Sequence, residues 1–330
     1  MNPAELDPDV NPVISVVVLC YNLERYIGPC LDSILSQRVG VPFEIVIGDD
    51  GSSDSSPGVI EAFRARHPDV IRVAAHTRNV GYSRNLADTL ALARGEYIAT
   101  VDGDDMMLPG KLARQLEVLE TQPEFGMVAH RMRIVDAVSG APVAFALARV
   151  KPPVFDAEFL IEHGPFFLNS SVMFRAALRR RHPVDLDLKV VADVANLVQC
   201  LHGSRAAYLD QELGVYRVNP KGFTSTVILN PERHATNIED LMRTCNLAEA
   251  LGMKREVVDR GRAGVLLRSA ILYLESGLYE QFEHCISRSV GFAEVGVKQR
   301  ALHALRRSPR LLRSLYVTAK QLAGRPTVRA

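Results

Sequence analysis

The chain is poor in cysteine and has none in a pairing pattern. Cys20, Cys30, Cys200, Cys245 and Cys285 are five in 330 residues, an odd number without C-x-x-C spacing. Neither a disulfide framework nor a structural zinc site is supported, and a reducing, cytoplasmic setting is expected. No run of about 18 apolar residues exists, so no membrane span is expected. Residues 1–12 are acidic and proline-rich, without the basic and apolar regions of a signal peptide. Charge of neither sign is in excess. The net charge of +1 argues against a dedicated nucleic-acid binder, which would carry a basic face visible in the total. There is no G-x-G-x-x-G, no G-x-x-x-x-G-K-[ST] and no H-E-x-x-H, so the phosphate turns and zinc helix those motifs encode are missing. The nine histidines show no metal spacing, and no repeat or low-complexity linker interrupts the chain.

What is present is an ordinary globular composition, 47% hydrophobic and 23% charged, enough for a real core. The first half alternates apolar β-branched runs with helical patterns. Strands are expected at Val13–Cys20, Glu44–Ile47, Val70–Ala74 and Tyr97–Val101. Helices are expected through Ile27–Leu35, Pro57–Arg66, Ser83–Arg94 and after Pro109, which is placed in a first turn. That β-α-β rhythm means a parallel, doubly wound sheet, in which ligands bind at the carboxyl ends of the strands. From about Gly126 the rhythm loosens, with strand-like pieces at Met127–Arg133 and Ser171–Phe174. From Pro231 the pattern is mainly helical.

Several clusters fall at strand ends. Val101-Asp102-Gly103-Asp104-Asp105 delivers three carboxylates to one point. In extended backbone Asp102 and Asp104 would point the same way, and carboxylates that close are usually held by a cation. A solvated turn is as good a reading of that motif alone. Asp49-Asp50-Gly51-Ser52-Ser53-Asp54 reads either as a ligand-facing tip or as an Asx-type turn with a helix cap. Tyr21 ends the first strand, where an aromatic can stack on a base or pack in a core. Arg84, in Asn79-Val80-Gly81-Tyr82-Ser83-Arg84-Asn85, can face a phosphate or solvent. Asp193 lies in the apolar stretch Val190–Leu197, where partial burial would raise its pKa and suit it to act as a base; the bland alternative is a helix-start Asp. Gly214-Val215-Tyr216-Arg217 and Gly222-Phe223-Thr224-Ser225 offer an Arg to a diphosphate or to water. Asn169-Ser170-Ser171 matches a glycosylation sequon, read as chance. Residues 298–330 hold nine Lys and Arg and no acid, which suggests docking on an anionic membrane or a solvated basic helix.

The order of these clusters is more specific than any one of them. Ile14 to Asn22, Glu44 to Asp54, Asn79-Val80-Gly81 with Arg84-Asn85, and Gly95-Glu96-Tyr97-Ile98 with Asp102-Gly103-Asp104-Asp105 closely resemble the family 2 glycosyltransferases. The likeness is specific over residues 13–122 and continues through Asn169–Arg175 and Tyr208–Arg217. It implies an inverting enzyme of GT-A fold, an α/β/α sandwich with a mixed, mainly parallel sheet. The division it suggests is a GT-A domain at 11–230, with a nucleotide-sugar half at 11–122 and an acceptor half at 123–230, then a helical extension at 231–330. It implies a nucleotide-sugar donor, a Mg²⁺ or Mn²⁺ ion, and a saccharide or lipid-linked acceptor. Carried over, Tyr21 and Asp50 contact the base, usually uracil; Arg84 is a weaker donor-side candidate; Asp102 lies by the ribose and metal; Asp104 is the main metal ligand. Asp193 is the candidate base, although relatives commonly show an acidic pair where this chain has Ala192-Asp193-Val194-Ala195-Asn196. A sugar-phosphate nucleotidyltransferase would need a Gly- and Arg-rich loop after the first strand, where Tyr21-Asn22-Leu23-Glu24-Arg25 stands. A catalytically silent nucleotide-sugar-binding relative is the other alternative. The setting expected is cytoplasmic, with peripheral contact at the inner face of the membrane through 298–330.

Overall fold

A computed structural model of the chain describes residues 11–143, 151–190, 192–219 and 230–322. By their internal contacts they form two compact units. The first runs through Ala157 and resumes at Pro165; the second holds Glu158–Gly164 and the described residues from 230 on.

The first unit is built on one mixed sheet. β1 (Ile14–Cys20) and β2 (Phe43–Asp49) are buried along nearly their whole length, as near-continuous apolar runs at the centre of a two-faced sheet must be. β1 lies parallel to β2 and to β4 (Tyr97–Asp102), and β2 parallel to β3 (Ile71–Ala75). The register sets Leu19 opposite Asp102 and Cys20 opposite Asp49. Three strand tips therefore end at one level, which brings the 21, 50 and 102 regions to one edge. Helices α1 (Ile27–Leu35), α2 (Ser56–Arg66) and α3 (Tyr82–Leu92) connect these strands. Ile27, Leu31 and Ile34 of α1 pack with Val16, Val18, Ile45 and Val101 in the main core.

Beyond β4 come β5 (Met106–Met107), α4 (Lys111–Thr121), β6 (Phe125–Asp136), β7 (Val154–Asp156) and α5 (Ala157–His163). A 3₁₀ turn (Asn169–Ser171), β8 (Met173–Arg175), α6 (Ala176–Arg180), α7 (Ala192–Leu201) and β9 (Arg205–Val218) follow. The strand order is β3-β2-β1-β4-β8-β6-β9-β5, with β7 paired to β9. β8 is antiparallel to β4 and β6, whereas β6 and β9 are parallel. Two expectations shift here. α4 starts at Lys111, because Gly110 takes a left-handed φ of 86° between Pro109 and the helix. The strand expected from Ser171 starts at Met173, because 169–171 coil into the 3₁₀ turn.

Besides nearly all of α5, the second unit carries α8 (Pro231–Ala250), α9 (Arg255–Glu275), α10 (Tyr279–Phe292), α11 (Val297–Ala304) and α12 (Pro309–Leu322). Asn230 caps α8: its side chain accepts hydrogen bonds from the Glu232 and Arg233 amides, with Pro231 in the first turn. Leu266, Ala270, Leu274, Phe282 and Ile286 form its core, closed by Leu302 and Leu312. Among the described residues, no helix is long and apolar enough to cross a membrane. Gly222–Ser225, Arg325 and Arg329, singled out in the sequence, lie outside the described residues.

Candidate active site

The acidic loop is closed by a turn. β4 ends at Asp102, and the Asp105 amide donates to the Asp102 carbonyl at 2.8 Å. Asp102 and Asp104 therefore converge through this turn, not through strand alternation as the spacing suggested, because extended backbone stops at Asp102. Gly103 is required there: its amide donates to the Leu19 carbonyl at 2.8 Å, and a Cβ would meet that oxygen at 2.8 Å.

The three carboxylates have different surroundings. Asp105 is fully buried, accepting from the Arg217 amide at 3.0 Å and from the Ser170 hydroxyl. Asp102 and Asp104 are half-buried. Ser170 Oγ accepts the Asp102 amide at 2.9 Å, while the polar contacts of the Asp102 carboxylate, to Asn169 Nδ2 and Ser170 Oγ, are long at 3.4 Å. Burial and the charge of Asp104 push Asp102 up to about 6. Burial also raises Asp104, opposed by its own amide and by Arg217. Asp105 is held well above the usual carboxylate range by burial and by both neighbouring acids. Beneath the loop, the Lys111 ammonium is fully buried and, among the described residues, has no hydrogen-bond partner. Burial lowers it to about 7, against the pull of Cys30 and Asp105.

This is a site of unmet negative charge. Two hard carboxylate donors in one turn, with long hydrogen bonds to Asp102, suit Mg²⁺ or Mn²⁺ held jointly with phosphate oxygens and water. Among the described residues, no group of three or more His, Cys, Asp or Glu forms a complete protein cage. Two carboxylates alone would leave most of such an ion's coordination positions to water or to a ligand bound beside them.

Asp193 stands in the first turn of α7 and is half-buried. Burial raises it to about 6; the Val194 amide, donating at 2.9 Å, opposes the shift and the charge of Asp102 adds to it. The Tyr82 phenol, at the start of α3, is raised well above its usual range by burial and by both Asp102 and Asp193. Asp102, Asp193 and Tyr82 therefore feel one another. Tyr82, Asp193, Thr100 and Asn169 line one pocket of about 30 Å³, room for one or two waters. Arg179 and Asn196 close its far side, joined by a 2.9 Å hydrogen bond from Nη1 to Oδ1.

On the other side of the acidic loop, Tyr21 is 47% exposed at the tip of β1. The next residue, Asn22, has a φ of 55°. Its Oδ1 accepts the Ser53 amide at 2.8 Å, and its own amide donates to Ser52 Oγ at 2.9 Å. These bonds lace the loop after β1 to the loop after β2. Asp50 is buried and its carboxylate accepts the Val80 and Gly81 amides at 2.6 and 3.2 Å, fixing the approach to α3. Burial is the larger influence and raises Asp50 despite those bonds. Arg84 is exposed and donates to Asp88 at 2.8 Å on its own helix, rather than to an acid of the loop.

The sequence undervalued three residues. Ser170 was read as part of a chance sequon, yet its hydroxyl ties Asp102 to Asp105. Tyr82 was passed over between Gly81 and Arg84, although a helix-start aromatic after a strand tip was a usable signal. Lys111 carried no signal, since a lysine after Pro109-Gly110 ordinarily faces water.

The profile of the glycosyl transferase family 2 matches residues 15–176, the stretch that holds all these strand tips except the α7 acid. The chain belongs to the family 2 glycosyltransferases. An uncharacterized Mycobacterium tuberculosis protein is 31% identical over 220 residues, 63% of this chain and 60% of that protein. The chain thus spans about 60% of the length of such curated relatives. Its fold is similar to that of S. aureus TarS residues 1–349 in complex with UDP-GlcNAc, at a TM-score of 0.64 and 19% identity, covering 94% of this chain and 92% of that one. The Pyrobaculum calidifontis mannosyltransferase PcManGT, in complex with GDP-Man and Mn²⁺, gives 0.58 at 19% identity, covering 94% and 85%. The family 2 chain thus has the GT-A fold, with its acidic loop at the strand-tip edge.

Proposed function

We propose that this family 2 chain transfers a sugar from a nucleotide-sugar donor, a UDP-sugar by the base-side residues, to an acceptor hydroxyl with inversion. The observation that carries this reading is the pocket shared by Tyr82, Asp193 and Asn169, whose side chain reaches Asp102 at 3.4 Å beside the turn that holds Asp104. Nucleotide-sugar complexes of TarS and PcManGT support the donor class, and the latter's Mn²⁺ supports the ion. Tyr21 and Asp50 take the base side: Tyr21 offers an exposed ring, and Asp50 fixes the 80–81 amides that shape the same tip. Asp102 lies toward ribose and metal, and Asp104 is the principal ligand. Arg84 keeps a donor-side role only by leaving Asp88. A bound divalent ion would stabilise the negative charge that develops on the departing diphosphate.

The chain's own residues supply the rest. Arg217 sets a positive charge against Asp104 and would meet the same diphosphate. Asp193, ionised above about pH 6, takes the acceptor hydroxyl's proton as that oxygen attacks the anomeric carbon. Tyr82, held as a neutral phenol, can donate toward either carboxylate or a sugar hydroxyl. The acceptor is a saccharide or lipid-linked sugar of a surface polysaccharide or other glycoconjugate, built on the cytoplasmic side with the chain peripheral to the membrane. The division proposed remains a GT-A domain at 11–230 and a helical extension at 231–330.

The test is a donor screen that measures nucleoside diphosphate release from a panel of nucleotide sugars with Mg²⁺ or Mn²⁺. Turnover of one donor, lost in Asp104→Ala, supports the reading. Binding of a donor with no transfer or hydrolysis under any acceptor would refute it in favour of a silent binding relative.

A further inference from the structure

Helix α12 turns charge inward and leucine outward. Lys320 Nζ donates to both carboxylate oxygens of buried Glu275, at 2.8 and 2.9 Å, and Arg313 Nε donates to the Glu275 carbonyl at 2.9 Å. Leu312 is buried in the helical core of the second unit. The opposite side shows Leu311 and Leu315, one turn apart and 62% and 58% exposed. Ser314, Thr318 and Ala319 are exposed beside them. A single exposed leucine is ordinary. Two on one face, in a helix whose lysine is folded in, are not what burial alone arranges. Among the described residues nothing covers that apolar face, which leaves it for something else to cover.

Charge says what that something is. From 297 onward the sequence holds no acidic residue. Arg307, in the turn that precedes α12, and Arg310, beside Leu311 in its first turn, are exposed, and among the described residues neither pairs with an acid. Exposed leucines on one face of α12, with unpaired arginines at and just before its N-terminal turn, match an interface that is apolar within and anionic at its surface. A nucleic acid would satisfy the arginines and leave the leucines in water. A second copy laid face to face would oppose arginine to arginine.

We propose that the outward face of α12 docks on an anionic phospholipid bilayer, with Leu311 and Leu315 inserted at the headgroup–acyl boundary and Arg307 and Arg310 on lipid phosphates. This deepens the peripheral location proposed above. Its test needs no turnover, so its failure and that of the transferase reading are separable. The full chain is sedimented with vesicles of phosphatidylcholine containing phosphatidylglycerol, and with vesicles of phosphatidylcholine alone. Binding is expected to the anionic vesicles only and to weaken with salt. Leu311→Ser/Leu315→Ser should weaken it at least tenfold, and Arg307→Gln/Arg310→Gln by about tenfold. All four side chains are exposed, so unchanged thermal unfolding is expected of both variants. No binding to anionic vesicles, or binding undiminished in both variants, would overturn the proposal. So would light scattering that shows a dimer in the wild type and a monomer in the leucine variant with equal vesicle binding.

Discussion

Replacing Asp193 by Asn should inactivate the enzyme and stabilise it. Burial lifts the Asp193 carboxyl from 3.8 to about 6, roughly two pH units at about 1.4 kcal/mol each. At pH 7 the ionised group therefore burdens the folded chain by up to about 3 kcal/mol relative to the unfolded one. The folded pKa is the higher one. Between pH 4 and 6 the folded chain holds the extra proton, so stability falls as pH rises through that window and the loss is complete above it. Asparagine cannot ionise, and its Oδ1 can still accept the Val194 amide that Asp193 holds at 2.9 Å. The variant should gain up to about 3 kcal/mol at pH 7, about 5–10 °C in Tm for a unit of this size, and almost nothing below pH 4. Loss of a general base lowers turnover by about 10²–10⁴. In the wild type, kcat/KM should climb with pH through about 6. Thermal unfolding at pH 4, 7 and 8, paired with nucleoside diphosphate release, measures both effects. Full activity in Asp193→Asn would remove it as the base. A variant destabilised at pH 7 would mean that the carboxylate anchors the start of α7 and carries no burden there.

Asp104→Ala should lower transfer at least about a hundredfold while leaving the circular dichroism spectrum unchanged. Excess chelator should have the same effect and Mn²⁺ or Mg²⁺ should reverse it; undiminished turnover in chelator would end the metal role. Arg217→Gln should raise KM for the donor by about 10–100-fold, the loss of one charge-assisted contact to phosphate, and an unchanged donor KM would take Arg217 out of the donor site. Lys111, lowered to about 7 in the fold from about 10.4 in the unfolded chain, holds fewer protons folded than unfolded between those values. Wild-type stability should therefore rise from pH 7 to 8.5 by about 1–2 kcal/mol relative to Lys111→Met; parallel pH profiles in denaturant titrations would show that the ammonium is not buried as charge.

β1, β2 and β4 were legible because each is a short, nearly continuous apolar run bounded by turn residues, as burial on both faces requires; β3, the half-buried edge strand, was legible from its β-branched residues. β9 was not. It runs from Arg205 to Val218, pairs with β6, β7 and β5, and shows Asp210 and Gln211 to solvent in mid-strand. Its pairing comes from backbone and from partners, not from an apolar pattern of its own. The same limit governs the helix that begins at Lys111. A lysine there reads as a solvated first-turn residue, and only the loop folded over it shows that the ammonium lies inside.

The acidic loop shows where local reading stops. Three acids in four residues are chemically alike, and spacing alone aligns Asp102 with Asp104 by the wrong geometry. What separates them comes from far along the chain. Ser170, 65 residues on, and the Arg217 amide, 112 residues on, occupy Asp105 and commit it to holding the turn. The same hydroxyl receives the Asp102 amide and so fixes the backbone from which the Asp102 carboxylate projects. With Asp105 occupied, the charge left for a ligand is that of Asp102 and Asp104, and Arg217 sets a cation against the second of them. The division of labour among the three acids is thus written in Ser170 and Arg217. A chain with the same acidic motif but without those two partners would have no reason to present Asp102 and Asp104 together.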